Sequence, residues 1–240
     1  IQSEFPEIKK TLDTLIPEKV LKSPNKIVAS FLKGLFDAEG YVSGKRIGIG
    51  MNNKQLIQQV QMALLRFSII SSFLEYDNRA NRYSSNHRFT LEISERQSLK
   101  LFRDNIRFSS DKKAHKLKET IAAKTGKSNV RQILASGTKI REMVTHIGYS
   151  LRHFPKVTGF FRNERLMSKE TFKQSILANV GDKDLFKKLS KIYTCPFLPV
   201  KISKIEVKEQ ETDMVDISVG NQNFIANGLI VHNSAQRFHL

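Results

Sequence analysis

An acidic side chain, Glu39, stands against Gly40 at the end of the stretch Phe31-Leu32-Lys33-Gly34-Leu35-Phe36-Asp37-Ala38-Glu39-Gly40. The stretch reads as the last turns of a helix that opens at Ser23-Pro24. Serine there offers a cap oxygen, proline is tolerated in a first turn, and glycine is the expected terminator. A carboxylate at a helix C-terminus is unfavourable, because the unpaired carbonyls carry partial negative charge. A metal ion at that point would offset the repulsion; the plainer alternative is a buried helix with a solvated acidic end. Ser30, Gly34 and Ala38 lie four apart, so one face is a stripe of small residues that lets a second helix backbone approach closely. Ile27, Phe31 and Leu35 form the adjacent apolar face, expected to pack on a sheet.

These residues need elements around them. Residues 41–51 alternate and turn at Ser43-Gly44-Lys45, which predicts a hairpin. Residues 53–67 place Leu56, Ile57, Val60, Ala63 and Leu64 at helical spacing. Residues 69–76 and 88–93 read as strands around a polar turn, and 95–106 as an amphipathic helix. The order is α-ββ-α-ββ-α, preceded by an arm or short helix over 1–22. From Ser110 to about Ile192 the pattern is helical and basic, broken at Gly126, Gly137, Gly148 and Gly181. Within it, 129–148 reads as two short helices about Ser136-Gly137, either a plain pair or a helix-turn-helix. After Pro196 and Pro199 the texture is β, over 200–207, 214–219, 224–226 and 229–231. The expected class is α+β, with an arm over 1–22, a mixed unit over 23–125, a basic helical segment over 126–192 and a β-rich tail over 193–233.

The formal net charge is +17, and it is unevenly spread. Residues 1–22 and 191–240 are each neutral, whereas 23–100 carry +5 and 101–190 carry +12. A solvated surface usually mixes signs, so a basic excess confined to the middle points to a polyanionic partner. No apolar run is long enough to span a membrane, and nothing resembles a lipid-facing helix. The first residues lack the order of a secretory signal. Cys195 is the single cysteine, which excludes an internal disulfide framework. These features lead us to expect an intracellular, cytoplasmic protein without a membrane partner.

The decade ending at Gly40, with the α-ββ-α-ββ-α order and the basic hairpins, resembles the LAGLIDADG homing endonucleases over roughly residues 17–120. In that family the motif helices of two units pack side by side, and strands form a saddle in the DNA major groove. The resemblance implies Glu39 as ligand of a divalent metal such as Mg²⁺, with Asp37 as the more variable earlier acid, either a further metal residue or a structural one. Glutamate replaces the commoner aspartate but is still a hard oxygen ligand. The segment Phe108-Ser109-Ser110-Asp111-Lys112-Lys113 is similar to one in intein endonucleases, which makes Lys112 or Lys113 a catalytic candidate; contact with the DNA backbone is the alternative for both. Lys45, Arg46, Asn52, Arg79, Arg82, Asn86 and Arg88 are the candidate contacts to a double-stranded DNA target. The basic helices are expected to add DNA contact. Cutting both strands needs two units, and one motif is present. Either two chains pair through Ser30, Gly34 and Ala38, or a first copy precedes Ile1, which is the expectation favoured by the lead-in Ile16-Pro17-Glu18-Lys19-Val20.

The tail resembles the two C-terminal splicing blocks of inteins, through Val215-Asp216-Ile217-Ser218-Val219, then Asn223-Phe224-Ile225-Ala226-Asn227-Gly228, then Leu229-Ile230-Val231-His232-Asn233-Ser234. This implies the β-rich C-terminal part of a Hint module. Asn233 would cyclise onto its own carbonyl and break the bond to Ser234, His232 would assist by proton transfer, and Ser234 would accept the transferred chain. Asp216 would position or activate Ser234. Gln222 stands where the block often has histidine, a departure that removes one proton donor. A Cys- or Ser-initiated N-terminal half is not seen, so splicing is expected to need an N-terminal partner. Residues 234–240 (SAQRFHL) would begin the C-terminal extein, and they resemble class I peptide-chain release factors of the archaeal type. The expected function is an intein fragment that joins a metal-dependent site-specific endonuclease to a self-processing terminus. A non-cleaving DNA-binding module and a self-processing protein with a decayed nuclease are the alternatives.

Overall fold

Two stretches rich in buried apolar side chains build most of the protein. The computed structural model describes residues 4–8, 13–77, 87–125, 130–200, 202, 205–207, 217, 219–220, 222–226 and 228–232. The chain divides into two units, 1–200 and 201–240.

In the larger unit a short helix α1 (Glu18–Leu21) leads to the motif helix α2 (Asn25–Glu39). Its start differs from expectation. The Ser23 hydroxyl donates back to the Lys19 carbonyl, and Pro24 takes the cap position without a side-chain bond. The Arg66 guanidinium instead gathers this corner, bonding Asn25 Oδ1, the Leu21 carbonyl and the Ser23 carbonyl at 3.1, 2.8 and 2.9 Å. The buried face is also shifted from the expected one. Val28, Leu32 and Phe36 enter the core, whereas Phe31 and Leu35 are half-buried and Ile27 is 49% exposed. At the other end Gly40 is extended, with φ −81°, and is not a left-handed cap. Glycine is needed for another reason: a Cβ there would lie 2.5 Å from the Phe36 carbonyl oxygen.

The chain then runs through β1 (Gly40–Val42), β2 (Ile47–Met51), α3 (Lys54–Leu65), β3 (Ser72–Asp77), β4 (His87–Ile93), α4 (Arg96–Asn105) and α5 (Asp111–Ala123). The four strands form an antiparallel sheet in the order β1-β2-β4-β3. Ile47 faces Ile93 and Ile49 faces Leu91 in register. These four, with Val42 and Phe89, point inward because side chains alternate along a strand. Asn53 caps α3 by accepting from the Leu56 N–H at 2.9 Å. The helices α2 to α5 close the core, with Phe36, Phe102 and Phe108 in a chain of ring contacts at 4.9 and 5.2 Å.

A second core lies in the same unit, within 130–195. Its helices are α6 (Gly137–His146), α7 (Thr158–Phe161), α8 (Lys169–Ser175) and α9 (Lys183–Thr194), with a 3-10 turn at Leu151–His153. Phe154, Phe160, Phe161, Phe172 and Leu189 are among its buried residues. Of the two helices expected within 129–148, only α6 forms among the described residues. Arg131 to Ile133 are extended and bonded to 167–169, with Gln132 bridged to Ser168. Gly137 sits against the Phe160 carbonyl, where a Cβ would come to 1.7 Å.

A buried ion pair joins the two cores. Arg131 Nε donates to Glu95 at 2.9 and 3.2 Å, and its Nη2 donates to the Ser68 carbonyl at 2.8 Å. Glu95 also accepts from the Ser98 hydroxyl at 2.5 Å, and its side chain is 3% exposed.

In the smaller unit β5 (Asn223–Ala226) and β6 (Leu229–His232) form an antiparallel hairpin. Gly228 has φ +80°, the left-handed conformation that a tight two-residue turn requires. The strands expected over 200–207 and 214–219 are not seen among the described residues there. Val200, Ile202, Ile205 and Val207 are each at least 72% exposed, so among the described residues their alternation has no neighbouring strand to pair with.

Candidate acidic helix end and nucleic-acid face

The site is built where α2 ends beside α5. Glu39, in the last turn of α2, is exposed, and among the described residues no hydrogen bond or ion pair engages its carboxylate. Asp37 is occupied. Both of its oxygens accept the Ser109 N–H, at 2.9 and 3.1 Å, and Lys33 Nζ lies 4.0 Å away and also donates to the Ser109 hydroxyl. Burial pushes the Asp37 carboxyl up, but the Ser109 hydrogen bonds and the charges of Lys33 and Lys113 outweigh it and hold the group below the ordinary aspartate range.

Lys113 comes from the first turn of α5, which Ser110 caps. Its ammonium donates to the Asp37 carbonyl at 2.6 Å and the Phe36 carbonyl at 3.2 Å, and stands 5.7 Å from the centre of the Phe108 ring. It therefore supplies, at the negative end of the helix, the charge that sequence reasoning left to a metal. Lys112, its neighbour, is exposed on α5. Farther along the same helix the Thr120 hydroxyl donates to the Ser43 carbonyl at 3.0 Å. One helix thus anchors both the end of α2 and the β1–β2 turn.

That turn carries exposed Lys45 and Arg46, and Asn52 is exposed after β2. The outer face of the sheet follows from the alternation, with Tyr41, Gly48, Gly50, Arg88, Thr90 and Tyr76 pointing away from the core. The Tyr41 ring lies over Gly48, and the Arg88 side chain lies across Gly50. Arg46 pairs with Glu92 at 3.1 Å, so part of its charge is met inside the protein. Arg79, Arg82 and Asn86 lie outside the described residues. Tyr41, Tyr76, Lys33 and Ser109 were not singled out from the sequence. The two tyrosines were within reach of the period-two pattern, while Ser109 shows its part only through contact with Asp37.

In the tail, His232 ends β6 opposite Asn223 in register. Asp216, Asn233 and Ser234 lie outside the described residues, as do 234–240.

Among the described residues no three His, Cys, Asp or Glu side chains gather as a metal cluster. Glu39 is an exposed hard oxygen ligand that no described residue engages. No helix among the described residues is long and apolar enough to cross a membrane.

Comparison with known families matches residues 26–107 to the LAGLIDADG-like domain. Such domains are usually DNA nucleases, which supports a homing endonuclease unit here. The matched stretch covers α2 to α4 and leaves α5, with Lys113, just beyond its limit.

Similar proteins carry names that belong to different activities. The chain is 32% identical to glutamine–fructose-6-phosphate aminotransferase [isomerizing] of Methanocaldococcus jannaschii, over 99% of this chain and 21% of that protein. It is 26% identical to a probable translation initiation factor IF-2 of Thermococcus kodakarensis, over 96% of this chain and 24% of that protein. It is 24% identical to elongation factor 2 of Methanopyrus kandleri, over 96% and 18%. The chain thus spans a quarter or less of the length of these relatives. None of these three is a release factor, so the expected release-factor host gains no support from them.

Proposed function

We propose that this chain is part of an intein, in which a metal-dependent DNA endonuclease unit precedes the C-terminal splicing residues. The observation that carries the nuclease reading is the exposed Glu39 at the end of a motif helix, unengaged among the described residues, with Lys113 fixed on the Asp37 carbonyl of the same helix end. A divalent metal, when bound with DNA, would supply Lewis-acid polarisation of the scissile phosphate and an activated water. The protein's own share is narrower. Glu39 presents a hard oxygen ligand, Lys113 neutralises the helix end, and Asp37 with Ser109 holds that end against the loop before α5. Lys45, Asn52 and Arg88 are the described residues best placed to meet DNA from the sheet.

Cutting both strands calls for a second acidic helix end. The face of α2 carrying Ser30, Gly34 and Ala38 is exposed, and a Cβ on Gly34 would meet nothing within 4 Å. We assign that face to a second LAGLIDADG-type unit, either from the same precursor or from another chain.

Support for the intein reading comes from similarity of one segment to an aminotransferase and two translation factors, which have no activity in common. An inserted element explains that pattern better than shared host function. In this reading Asn233 cyclises, His232 assists, Ser234 accepts the chain and Asp216 positions it.

Incubation with Mg²⁺ and DNA spanning an uninterrupted insertion site tests the nuclease. Cleavage abolished in Glu39→Gln is expected; absence of cleavage in the unaltered protein would leave the non-cleaving DNA-binding module. Mass spectrometry for release of the peptide after Asn233, blocked in Asn233→Ala, tests the self-processing step separately.

A further inference from the structure

The body within 130–195 carries thirteen Lys and Arg against five Asp and Glu, a larger excess than its core packing explains. Its charges are not spread evenly over its surface hollows. Between α6 and the segment 151–162 lies a cavity of about 390 Å³. Arg141, Arg152, Arg162 and Thr158 line it, with Phe154 and Phe161 among its apolar lining. Among the described residues no acidic side chain lines it. In the same body a hollow with Lys188 also carries Glu142 and Asp184, whereas one with Lys156 and Arg165 carries no acid but gathers only two cations.

All three arginines are exposed. Among the described residues the acid paired with the group is Glu164, 3.7 Å from Arg162, in a pair whose side chains are both more than half exposed. Such a pair is worth little and is readily exchanged for a better anion. Three guanidinium groups brought to one hollow repel one another, and the fold accepts that repulsion without a buried counterion among the described residues. The guanidinium fork matches phosphate oxygens in pairs, and a hydroxyl beside it adds a donor.

We propose that this cleft seats backbone phosphates of duplex DNA, as a second contact separate from the sheet of the LAGLIDADG-like domain. The proposal rests on the reading that the sheet binds DNA, and extends it to a site of different character. Phosphate contacts position a protein on the duplex without reading its sequence. The Arg131–Glu95 pair holds the helical body on the nuclease core, so a phosphate clasped here constrains the whole larger unit.

The test compares the unaltered protein, Arg141→Gln/Arg152→Gln/Arg162→Gln, and Arg88→Gln on duplex DNA of random sequence over a range of salt. Glutamine keeps length and polarity at exposed positions, and thermal unfolding checks that the fold is retained; Arg152→Gln alone serves if the triple variant does not fold. Each phosphate that is no longer neutralised flattens the slope of log affinity against log salt by about 0.9. The triple variant should therefore flatten it by up to about 2.7 and the single one by up to about 0.9. An unchanged slope in a folded triple variant, with Arg88→Gln weakened, overturns the cleft and leaves the sheet reading standing. No binding of duplex DNA by the unaltered protein overturns both.

Discussion

Lys113 Nζ lies 2.6 Å from the main-chain carbonyl of Asp37, a residue 76 positions away in the chain. The bond closes the end of the motif helix with a positive charge, two residues before the free carboxylate of Glu39. It ties α5 to the end of the helix that carries Glu39. Lys113→Met should cost about 1 kcal/mol of stability, the usual worth of a hydrogen bond with a charged donor partly open to water. Cleavage should fall more steeply than stability, and Lys113→Arg should restore stability better than cleavage. Denaturant melts alongside cleavage rates separate the two.

Asp37 sets an acid limit on the same corner. Its folded carboxyl titrates below the ordinary aspartate value of about 3.9, so the unfolded chain binds its proton first as pH falls. The stabilisation is therefore complete above that value and disappears as pH drops through the folded one. Thermal melts between neutral pH and pH of about 3 should show a decline. In Asp37→Asn the decline should be shallower, with lower stability at neutral pH.

Gly40→Ala should be costly for a small change. The added methyl group would sit 2.5 Å from the Phe36 carbonyl oxygen, and backbone on both sides must shift to admit it. A loss of about 1–3 kcal/mol is expected, as for other overpacked sites. A variant as stable as the unaltered protein in urea would contradict this account of the glycine.

Gly34 should behave in the opposite way. With open space beyond its Cα, Gly34→Leu should keep or raise the stability of the isolated chain, by about 0.5–1 kcal/mol from helix preference. The same variant should abolish cleavage of both strands, because leucine prevents close approach of a second helix. Calorimetry and double-strand cleavage read the two effects independently.

Arg131 and Glu95 offer the largest single effect on folding. Arg131→Ala leaves a carboxylate that is 3% exposed without its counterion, and a loss of about 3–5 kcal/mol is expected. Arg131→Met with Glu95→Leu should recover most of it. Denaturant melts of the single and double variants measure the difference.

Much of the nuclease core could be read from local pattern. Helices α2 and α3, the turn of the first hairpin and strand β4 fall close to where local residue spacing puts them, because each element's own periodicity decides it. Expectation and structure part where distant residues decide. Ser23 bonds back to Lys19 because Arg66 already gathers the corner where the cap was expected. Val28, Leu32 and Phe36, and not the Ile27 row, face inward because the sheet and α4 lie on that side. The tail misleads for a similar reason: alternation over 200–207 describes what a strand could pack, and among the described residues no strand stands beside it. At the candidate site, type and position marked Glu39 and the pair Lys112 and Lys113. That Lys113 reaches back to α2, and that Ser109 occupies Asp37, depend on contacts more than seventy residues apart.

The buried Glu95 also leaves a mark that can be followed through related genes. Its charge is met by Arg131 as well as by the Ser98 hydroxyl, and Arg131 belongs to the body that begins beyond residue 129. Relatives that lack the helical body should therefore carry a neutral or apolar residue at the position of Glu95, and relatives that have acquired it should carry the acid. One column of an alignment would then record when the accessory body joined or left the lineage.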